Sequence, residues 1–304
     1  MSKLSIVIPL GKKWEFSSVD SIKKQRVRIE TIVQVGNNPS RNRNLGVGKA
    51  KGELVAFING HTILADDWAD RVIDFFKKNK SVDIVGGPQM TSSEERGIAR
   101  VSGYALSSKF GTYKVANRYA GKELIGDADE TMLTSANLIC RKRVFKKVRF
   151  DESIYPGEDP KFISDAKKAG FKIAYSPEMR VWNKRRNSLG DLAKQVFNYG
   201  KTRPEKESLK ETLKMPFFII PSIFVLYLLA VVLILLASPR FEVHSLIFFP
   251  LAIYVVMNLL VSIVISFTNK DYIGIILLPI IFLIIHLSYG IGFLISTIKK
   301  VFIK

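Results

Sequence analysis

Two adjacent carboxylates, Glu158 and Asp159, follow the turn-forming sequence Tyr155-Pro156-Gly157 and precede a stretch with helical periodicity. Pro and Gly fix the backbone of a turn, so the pair can face a cleft from the start of a helix. A carboxylate in such a place can act as a general base. The competing interpretation is that both residues only cap the helix, since Asp and Glu are favoured at a helix start.

Three long apolar stretches, at 215–237, 246–267 and 273–297, occupy the end of the sequence, and none contains a charged residue. Each exceeds the roughly 20 residues that a helix needs to cross the hydrocarbon layer. We therefore expect three transmembrane helices, the third being the least regular because Pro279 and two glycines interrupt it. We interpret His286 in the third stretch as a residue that hydrogen-bonds between helices rather than as a ligand.

Positive charge is concentrated before these stretches, since only five of the 46 Lys and Arg residues lie beyond residue 214. By the positive-inside rule the polar first part stays in the cytoplasm, and the short loop at 239–244 lies outside. The apolar run at 4–10 is too short for the apolar core of a signal peptide and is predicted to be a β-strand. Lys299, Lys300 and Lys304 do not follow the positive-inside rule, because three full spans would place them outside. Either the tail is a weak determinant or the third stretch does not fully cross.

The net charge of +19 raises the question of nucleic acid. The densest basic run, at 141–149, alternates with apolar residues and is typical of an element with one face in the core. No helix-turn-helix, zinc-finger or RNA-recognition signature accompanies it, so we expect no nucleic-acid partner. Attraction to anionic lipid headgroups and phosphate-bearing substrates explains the charge. The single Cys140 excludes an internal disulfide.

Strand and helix patterns alternate before residue 188, which predicts an α/β layer fold. Strands are predicted at 4–9, 30–35, 54–58, 82–86, 136–140 and 171–175, the last of the domain. Helices are predicted at 17–24, at 67–79, at 159–170 and up to Lys51 from a cap at Ser40 or Asn42. The domains are therefore an α/β domain at 1–188, an amphipathic interfacial helix and linker at 189–214, and a transmembrane region at 215–304.

An ordered set of motifs over most of residues 4–203 resembles the family 2 glycosyltransferases of the GT-A fold. The matching segments are Ser5-Ile-Val-Ile-Pro9, Arg43-Asn44-Leu45-Gly46 with the run at 50–58, Gly157-Glu158-Asp159, the run at 170–177, and the helix at 195–203. The exopolysaccharide, succinoglycan-type subgroup is the most similar, with a comparable tail of spans and an end like His286-Leu-Ser-Tyr-Gly-Ile-Gly292.

The resemblance implies a GT-A-like mixed sheet with flanking helices, followed by an all-α transmembrane region. It implies an inverting transfer of a sugar from a nucleotide-sugar donor to a lipid-linked or polysaccharide acceptor at the cytoplasmic membrane face, in polysaccharide biosynthesis of the cell envelope. Asp159 would be the base, and Glu158 would orient it. The nucleotide-sugar site would contain Pro9, Asn37, Arg43, Asn59, Gly60 and His61, and the acceptor region Gln195, Tyr199 and Arg203.

The sequence departs from the family at the metal motif, where Asn59-Gly60-His61 replaces Asp-x-Asp. The family implies a divalent cation, Mn²⁺ or Mg²⁺, which His61 would hold here, because His suits Mn²⁺ and Asn is a poor ligand beside Asp. A plain turn at the strand end is the other interpretation. Asn183 also stands where many relatives carry His. A membrane-anchored sugar-nucleotide-binding or partner protein with a degraded catalytic site is therefore the alternative to an enzyme.

Overall fold

The computed structural model of the protein describes residues 3–11, 17–206, 212–237 and 245–302. The chain divides into two compact units. The first, called the sheet unit here, comprises Met1–Glu95 and Lys114–Lys184, and the second, called the helical unit, comprises Arg96–Tyr113 and Arg185–Lys304. The predicted outer loop at 239–244 and Lys304 lie outside the described residues.

The strands of the described residues all belong to the sheet unit. In chain order they are β1 (Leu4–Leu10), β2 (Ile29–Val35), β3 (Leu54–Ile58), β4 (Ile63–Leu64), β5 (Ile84–Gly86), β6 (Gln89–Thr91), β7 (Asn137–Arg141), β8 (Ile173–Tyr175) and β9 (Val181–Asn183). The main sheet has the order β2-β1-β3-β7-β5-β8, and a small sheet has the order β4-β9-β6. In the main sheet β7 is antiparallel to both neighbours and the remaining pairs are parallel.

The α-helices of the described residues are divided between the two units. In chain order they are α1 (Val19–Lys23), α2 (Pro39–Lys49), α3 (Trp68–Lys78), α4 (Gly97–Leu106), α5 (Lys109–Thr112), α6 (Asn117–Ala120), α7 (Glu158–Lys168), α8 (Leu189–Lys206), α9 (Ile220–Ala237), α10 (Phe249–Thr268) and α11 (Gly274–Phe302). Short 3₁₀ turns occupy Tyr113–Ala116, Lys142–Lys146, Pro216–Phe218 and Ser245–Phe248. Helices α4, α5 and α8 to α11 make the helical unit.

Two apolar clusters cover the two faces of the main sheet. Along β1, Ile6 belongs to one cluster and Val7 to the other. Along β3, Ala56 and Phe57 divide in the same way. A strand that is buried on both faces reads as a continuous apolar run, and the sequence therefore predicts β3 with its observed ends. The predicted α/β fold, a mixed sheet with flanking helices followed by long apolar helices, is confirmed.

The predicted N-cap of α2 is wrong. The side chain of Asn38, not Ser40 or Asn42, caps α2 by accepting a hydrogen bond from the Arg41 amide at 3.0 Å. Pro39 occupies the first helical position, where its fixed φ is pre-organised and its missing N–H costs nothing. The helix therefore starts earlier than the apolar pattern indicates.

The small sheet was not predicted, and the predicted last strand at 171–175 is followed by β9. The strands of the small sheet have two or three residues, too few for the alternation that identifies a strand in a sequence. Strands β5 and β8 are equally short, but they lie within the longer strand segments predicted at 82–86 and 171–175. The basic run after Cys140 ends β7 at Arg141 and continues as the 3₁₀ turn Lys142–Lys146. Val144 and Phe145 of that turn are buried, as the alternation of basic and apolar residues predicts.

Three helices of the described chain are long and apolar enough to cross a membrane: Ile220–Ala237, Leu246–Thr268 and Gly274–Phe302. The third predicted stretch is a continuous helix in spite of Pro279. The ring Nδ1 of His286 lies 3.0 Å from the hydroxyl of Tyr254 on α10, so the predicted hydrogen bond between helices is confirmed.

Candidate active site

The main sheet brings the carboxyl ends of β1, β2 and β3 to one edge, with Leu10 opposite Val35 in the parallel register. Open α/β sheets bind ligands in the crevice outside the carboxyl ends of their strands. Six positions named from the sequence lie on this part of the fold or on the helix that follows β2. Pro9 is in β1, Asn37 follows β2, Arg43 is in α2, and Asn59, Gly60 and His61 follow β3.

The acidic pair opens α7 directly after Gly157, whose φ of 114° lies in the left-handed region that favours glycine. Glu158 Oε1 accepts a hydrogen bond from Arg43 Nη1 at 2.9 Å. Asp159 Oδ1 lies 3.6 Å from the same nitrogen, and Asp159 Oδ2 accepts a hydrogen bond from the Ser135 amide at 3.2 Å. Both carboxylates therefore contact groups from other parts of the chain, which goes beyond the role of helix caps.

The Arg43-Asn44-Leu45-Gly46 motif fixes α2 in the position that this contact needs. The Asn44 side chain donates to the carbonyl of Phe150 at 2.9 Å and accepts from its amide at 3.1 Å. A Cβ at Gly46 would lie 2.2 Å from Val7 Cγ1, so only glycine lets the helix lie this close to β1. The motif thus joins α2 to the sheet and to the segment that leads into α7.

Burial governs the electrostatics of the site. The side chains of Arg43 and Glu158 are 5% and 6% exposed, whereas that of Asp159 is 19% exposed. Burial raises the pKa of the Glu158 carboxyl, and the neighbouring Asp159 carboxylate raises it further, while Arg43 opposes both effects. The Arg43 guanidinium also lies over the Phe150 ring, 5.2 Å from its centroid. Asp159 is thus the most accessible of the three charged groups.

A buried chain of neutral polar side chains, which the sequence did not reveal, lies between the small sheet and its neighbours. Thr62 donates to Asn183 Oδ1 at 2.7 Å, and Asn183 Nδ2 donates to Gln89 Oε1 at 2.9 Å. Gln89 in turn donates to the hydroxyl of Thr134. Both ends of the Asn183 amide are therefore engaged by protein, which leaves Asn183 unsuited to hold a metal ion.

The residues at the strand edge do not fit a metal ion held by protein ligands alone. Across 3–11, 17–206, 212–237 and 245–302, no three His, Cys, Asp or Glu side chains form a group that could hold one. The family resemblance implies His61 as a metal ligand. The only other side chain of its motif that could contact a metal ion is the neutral Asn59. A cation-dependent step cannot be derived from such a set.

The residues assigned to the acceptor lie on α8 in the helical unit. Gln195 Nε2 donates to the hydroxyl of Tyr199 at 2.9 Å, and this pair is at the surface. Arg203 is only 4% exposed, because its guanidinium lies 3.8 Å from the centroid of the Phe218 ring. Arg203 therefore belongs to the packing between α8 and the segment before α9, and Gln195 and Tyr199 are the accessible members of the set.

Comparison with known proteins gives one family. A sequence model described as "Glycosyltransferase like family 2" matches residues 19–199, more than half of the chain. No curated protein matches.

Matches among solved structures are distant. Residues 1–349 of TarS from S. aureus, in complex with UDP-GlcNAc, are 16% identical over 65% of this chain, with a TM-score of 0.46. A second crystal structure of S. aureus TarS is 16% identical over 66% of this chain, with a TM-score of 0.45. A197 from STIV is 16% identical over 58% of this chain, with a TM-score of 0.40. The matched part covers 65%, 39% and 82% of those chains, respectively. On the family match, the chain belongs to glycosyltransferase-like family 2, and its sheet unit has the GT-A fold.

Proposed function

We propose that the protein is an inverting glycosyltransferase, which moves a sugar from a nucleotide-sugar donor to a lipid-linked or polysaccharide acceptor at the cytoplasmic membrane face. The observation that carries this proposal is the position of Asp159, which Ser135 and Arg43 hold at the start of α7 in a chain of this family. We further propose residues 1–188 as the catalytic domain and 189–214 as its connection to the membrane region.

The chemistry follows from the accessible carboxylate. Asp159 accepts the proton of an acceptor hydroxyl while the hydroxyl oxygen attacks the anomeric carbon. The bond from that carbon to the diphosphate oxygen breaks, and the nucleoside diphosphate leaves with the electron pair. Attack opposite the leaving group inverts the configuration at the anomeric carbon. Charge develops on the leaving oxygens, so cationic groups near the strand edge would stabilise the transition state.

Arg43 fits a positioning role better than that of a diphosphate ligand. Its guanidinium is buried, pairs with Glu158 and lies 3.6 Å from Asp159. In this arrangement Arg43 holds the acidic pair as a unit, and Glu158 fixes Arg43 in turn. Asn37, Asn59, Gly60 and His61 remain our proposal for contacts to the nucleotide-sugar, because they follow the strand ends where open sheets bind ligands.

Two acceptor classes give different roles to Asp159. A sugar hydroxyl must lose a proton, so the reaction needs the base. The phosphate of a polyprenyl phosphate has a second pKa of about 6 and is already ionised near neutral pH, so Asp159 would only position it. The motif order and the His286 to Gly292 end support our proposal of the exopolysaccharide, succinoglycan-type subgroup, and the role of Asp159 distinguishes the two acceptor classes.

The proposal is tested on the full chain in detergent. Titration calorimetry with UDP and GDP, with and without Mn²⁺, identifies the base of the donor, and release of nucleoside diphosphate from a panel of nucleotide-sugars is then measured with membrane lipid extract. We expect one nucleotide to bind and its sugar conjugates to be consumed only with an acceptor. Nucleotide binding without transfer to any acceptor would instead support the sugar-nucleotide-binding protein, for which the neutral Asn59 and Asn183 argue.

A further inference from the structure

The buried polar chain of the sheet unit joins two turns of the candidate site. Its members are, in order of contact, Thr62, Asn183, Gln89 and Thr134. We infer that this polar chain is a positioning device, which fixes the turn after β3 and the turn before β7 relative to each other. Its two central residues act on the reaction through Asp159 and do not contact the substrate themselves. Their role in transfer rests on the proposed function, whereas the link between the two turns does not.

Each end of the polar chain is a threonine in a turn that a backbone hydrogen bond closes. The Thr62 amide donates to the carbonyl of Asn59 at 3.1 Å. The two residues between them are proposed contacts to the nucleotide-sugar. The Asn137 amide donates to the carbonyl of Thr134, also at 3.1 Å, and this second turn contains Ser135. The polar chain therefore connects the donor side of the candidate site to the segment that holds its base.

The second turn holds Asp159 through one backbone contact. The Ser135 amide donates to Asp159 Oδ2 at 3.2 Å, and Ser135 is only 1% exposed. The preceding residue, Thr134, accepts a hydrogen bond from the Gln89 side chain. Two positions after Ser135, the side chain of Asn137 donates at 2.6 Å to a backbone carbonyl just before β9. The amide that contacts Asp159 is therefore fixed from both sides along the sequence.

The small sheet supplies the middle of the polar chain. Strands β6 and β9 are parallel, with Gln89 opposite Val181. Asn183 lies two residues further along β9, on the same face of the sheet, and is thus the diagonal neighbour of Gln89. Both side chains are buried, and Asn183 Nδ2 lies 2.9 Å from Gln89 Oε1. Thr62 has no exposed surface either, so bulk water does not compete for its hydrogen bond to Asn183.

Geometry rather than stability explains why these buried positions are polar. A neutral hydrogen bond adds little net stability, because folding only exchanges it for hydrogen bonds to water. It does restrict distance and direction, which apolar contacts do not. A fully hydrogen-bonded network inside a protein is rigid and specifies one arrangement of its members. Such rigidity matters in a transferase, because a displacement of about 1 Å near the reacting groups can reduce the rate by about 10²-fold.

Substitutions at the two ends of the polar chain test the inference on the full protein in detergent. Thr62→Val and Thr134→Val remove a hydroxyl and keep the shape of the side chain, whereas Thr134→Ser keeps the hydroxyl. Ser5→Ala is the matched control. The hydroxyl of Ser5 is in a buried residue as well, and it accepts from the Gly52 amide at 2.9 Å near the amino-terminal end of β1.

Hydrogen–deuterium exchange at the Ser135 amide measures the positioning directly and does not require activity. We expect both valine variants to raise this exchange rate about five- to tenfold, the factor that corresponds to one hydrogen bond. Thr134→Ser and Ser5→Ala should exchange at the wild-type rate. Because Thr62 lies at the far end of the polar chain, an effect of Thr62→Val is transmitted through the two central residues. An unchanged exchange rate in Thr62→Val would overturn the inference.

Turnover then tests the role in transfer. Calorimetry gives the affinity for the nucleotide and the fraction of molecules that bind it, and turnover is expressed per binding molecule. We expect Thr134→Val to lower this turnover by about 10- to 100-fold with unchanged nucleotide affinity, and Thr134→Ser to retain it. A loss that is confined to the fraction of binding molecules would show a purely structural role and refute positioning. A wild type that transfers no sugar would refute the proposed function instead, and the exchange rate at Ser135 would still decide the link between the two turns.

Discussion

Arg43 and Glu158 stand 115 residues apart in the sequence, yet Arg43 Nη1 and Glu158 Oε1 are 2.9 Å apart in the fold. Both side chains are almost completely buried. A buried ion pair adds little net stability, but loss of one partner leaves an uncompensated charge. The pair therefore fixes α2 and α7 relative to each other, and it holds Asp159 in its position at the start of α7.

Arg43→Met is expected to destabilise the protein by about 3–5 kcal/mol near neutral pH, because it leaves Glu158 buried without its partner. Adding Glu158→Leu should restore most of the loss. Thermal unfolding in detergent measures both variants. Arg71→Met is the control, since Arg71 is 48% exposed beside Asp67 and such pairs contribute about 1 kcal/mol or less. A loss of stability for Arg43→Met as small as that of the control would contradict this role of the ion pair.

The effect of Arg43→Met should depend on pH, because burial raises the pKa of Glu158 above its ordinary value of 4.5. A raised carboxyl pKa means that the contribution of this group to stability is present below pH 4.5 and is lost as pH rises through the folded pKa. Arg43 opposes the rise, so its removal enlarges the loss. The midpoint difference between wild type and variant should therefore grow from acidic to neutral pH. A midpoint difference that stays constant from acidic to neutral pH would show that the Glu158 carboxylate does not cause the destabilisation of Arg43→Met.

Asp159→Asn is expected to lower transfer to a hydroxyl acceptor by roughly 10²–10⁴, since the amide has nearly the same shape but is a far weaker base. Nucleotide binding by calorimetry should be unchanged. Asp165→Asn, on the same helix and paired with Lys161, is the matched control and should retain wild-type turnover. Wild-type turnover of Asp159→Asn with a confirmed hydroxyl acceptor would remove Asp159 from the mechanism, and a small loss with a phosphate acceptor would identify that class.

The main sheet could be predicted because its strands are continuous apolar runs, as at Leu54–Ile58. The two- and three-residue strands of the small sheet could not, because they are too short to show a period. In the site, Glu158 and Asp159 could be found from their position after a turn, and Arg43 from the family resemblance. The contact from Ser135 to Asp159 uses a backbone amide that any residue supplies. Side-chain identity does not encode such a contact.

The polar chain through Asn183 shows a second limit of the sequence. From the sequence, Asn183 is interpreted as a neutral replacement for a metal ligand. Only the fold shows that its side-chain amide hydrogen-bonds to both Thr62 and Gln89.

Cys140 is expected to be unreactive toward maleimide in the folded protein near pH 7.5. It lies in β7 with no exposed surface, and burial raises the pKa of its thiol well above the ordinary value, with the nearby Asp83 carboxylate adding to the effect. The thiolate is the reactive form, so both access and ionisation oppose labelling. Mass spectrometry should show modification only after denaturation, whereas Lys194→Cys on the surface should label at once. Fast labelling of native wild type would show that the strand opens.

Mn²⁺ is expected to bind the protein only weakly without nucleotide, because no group of three His, Cys, Asp or Glu side chains in the described residues could hold it. Asn59→Asp should tighten Mn²⁺ binding by adding a carboxylate beside His61, and His61→Ala in the same background should reverse the gain. Titration calorimetry with Mn²⁺ alone measures all three proteins, and Asn117→Asp controls for the added charge. Equal affinities for Asn59→Asp and Asn117→Asp would show that Asn59-Gly60-His61 is only a turn at the end of β3. Full activity in EDTA together with a silent His61→Ala would lead to the same conclusion by a separate route.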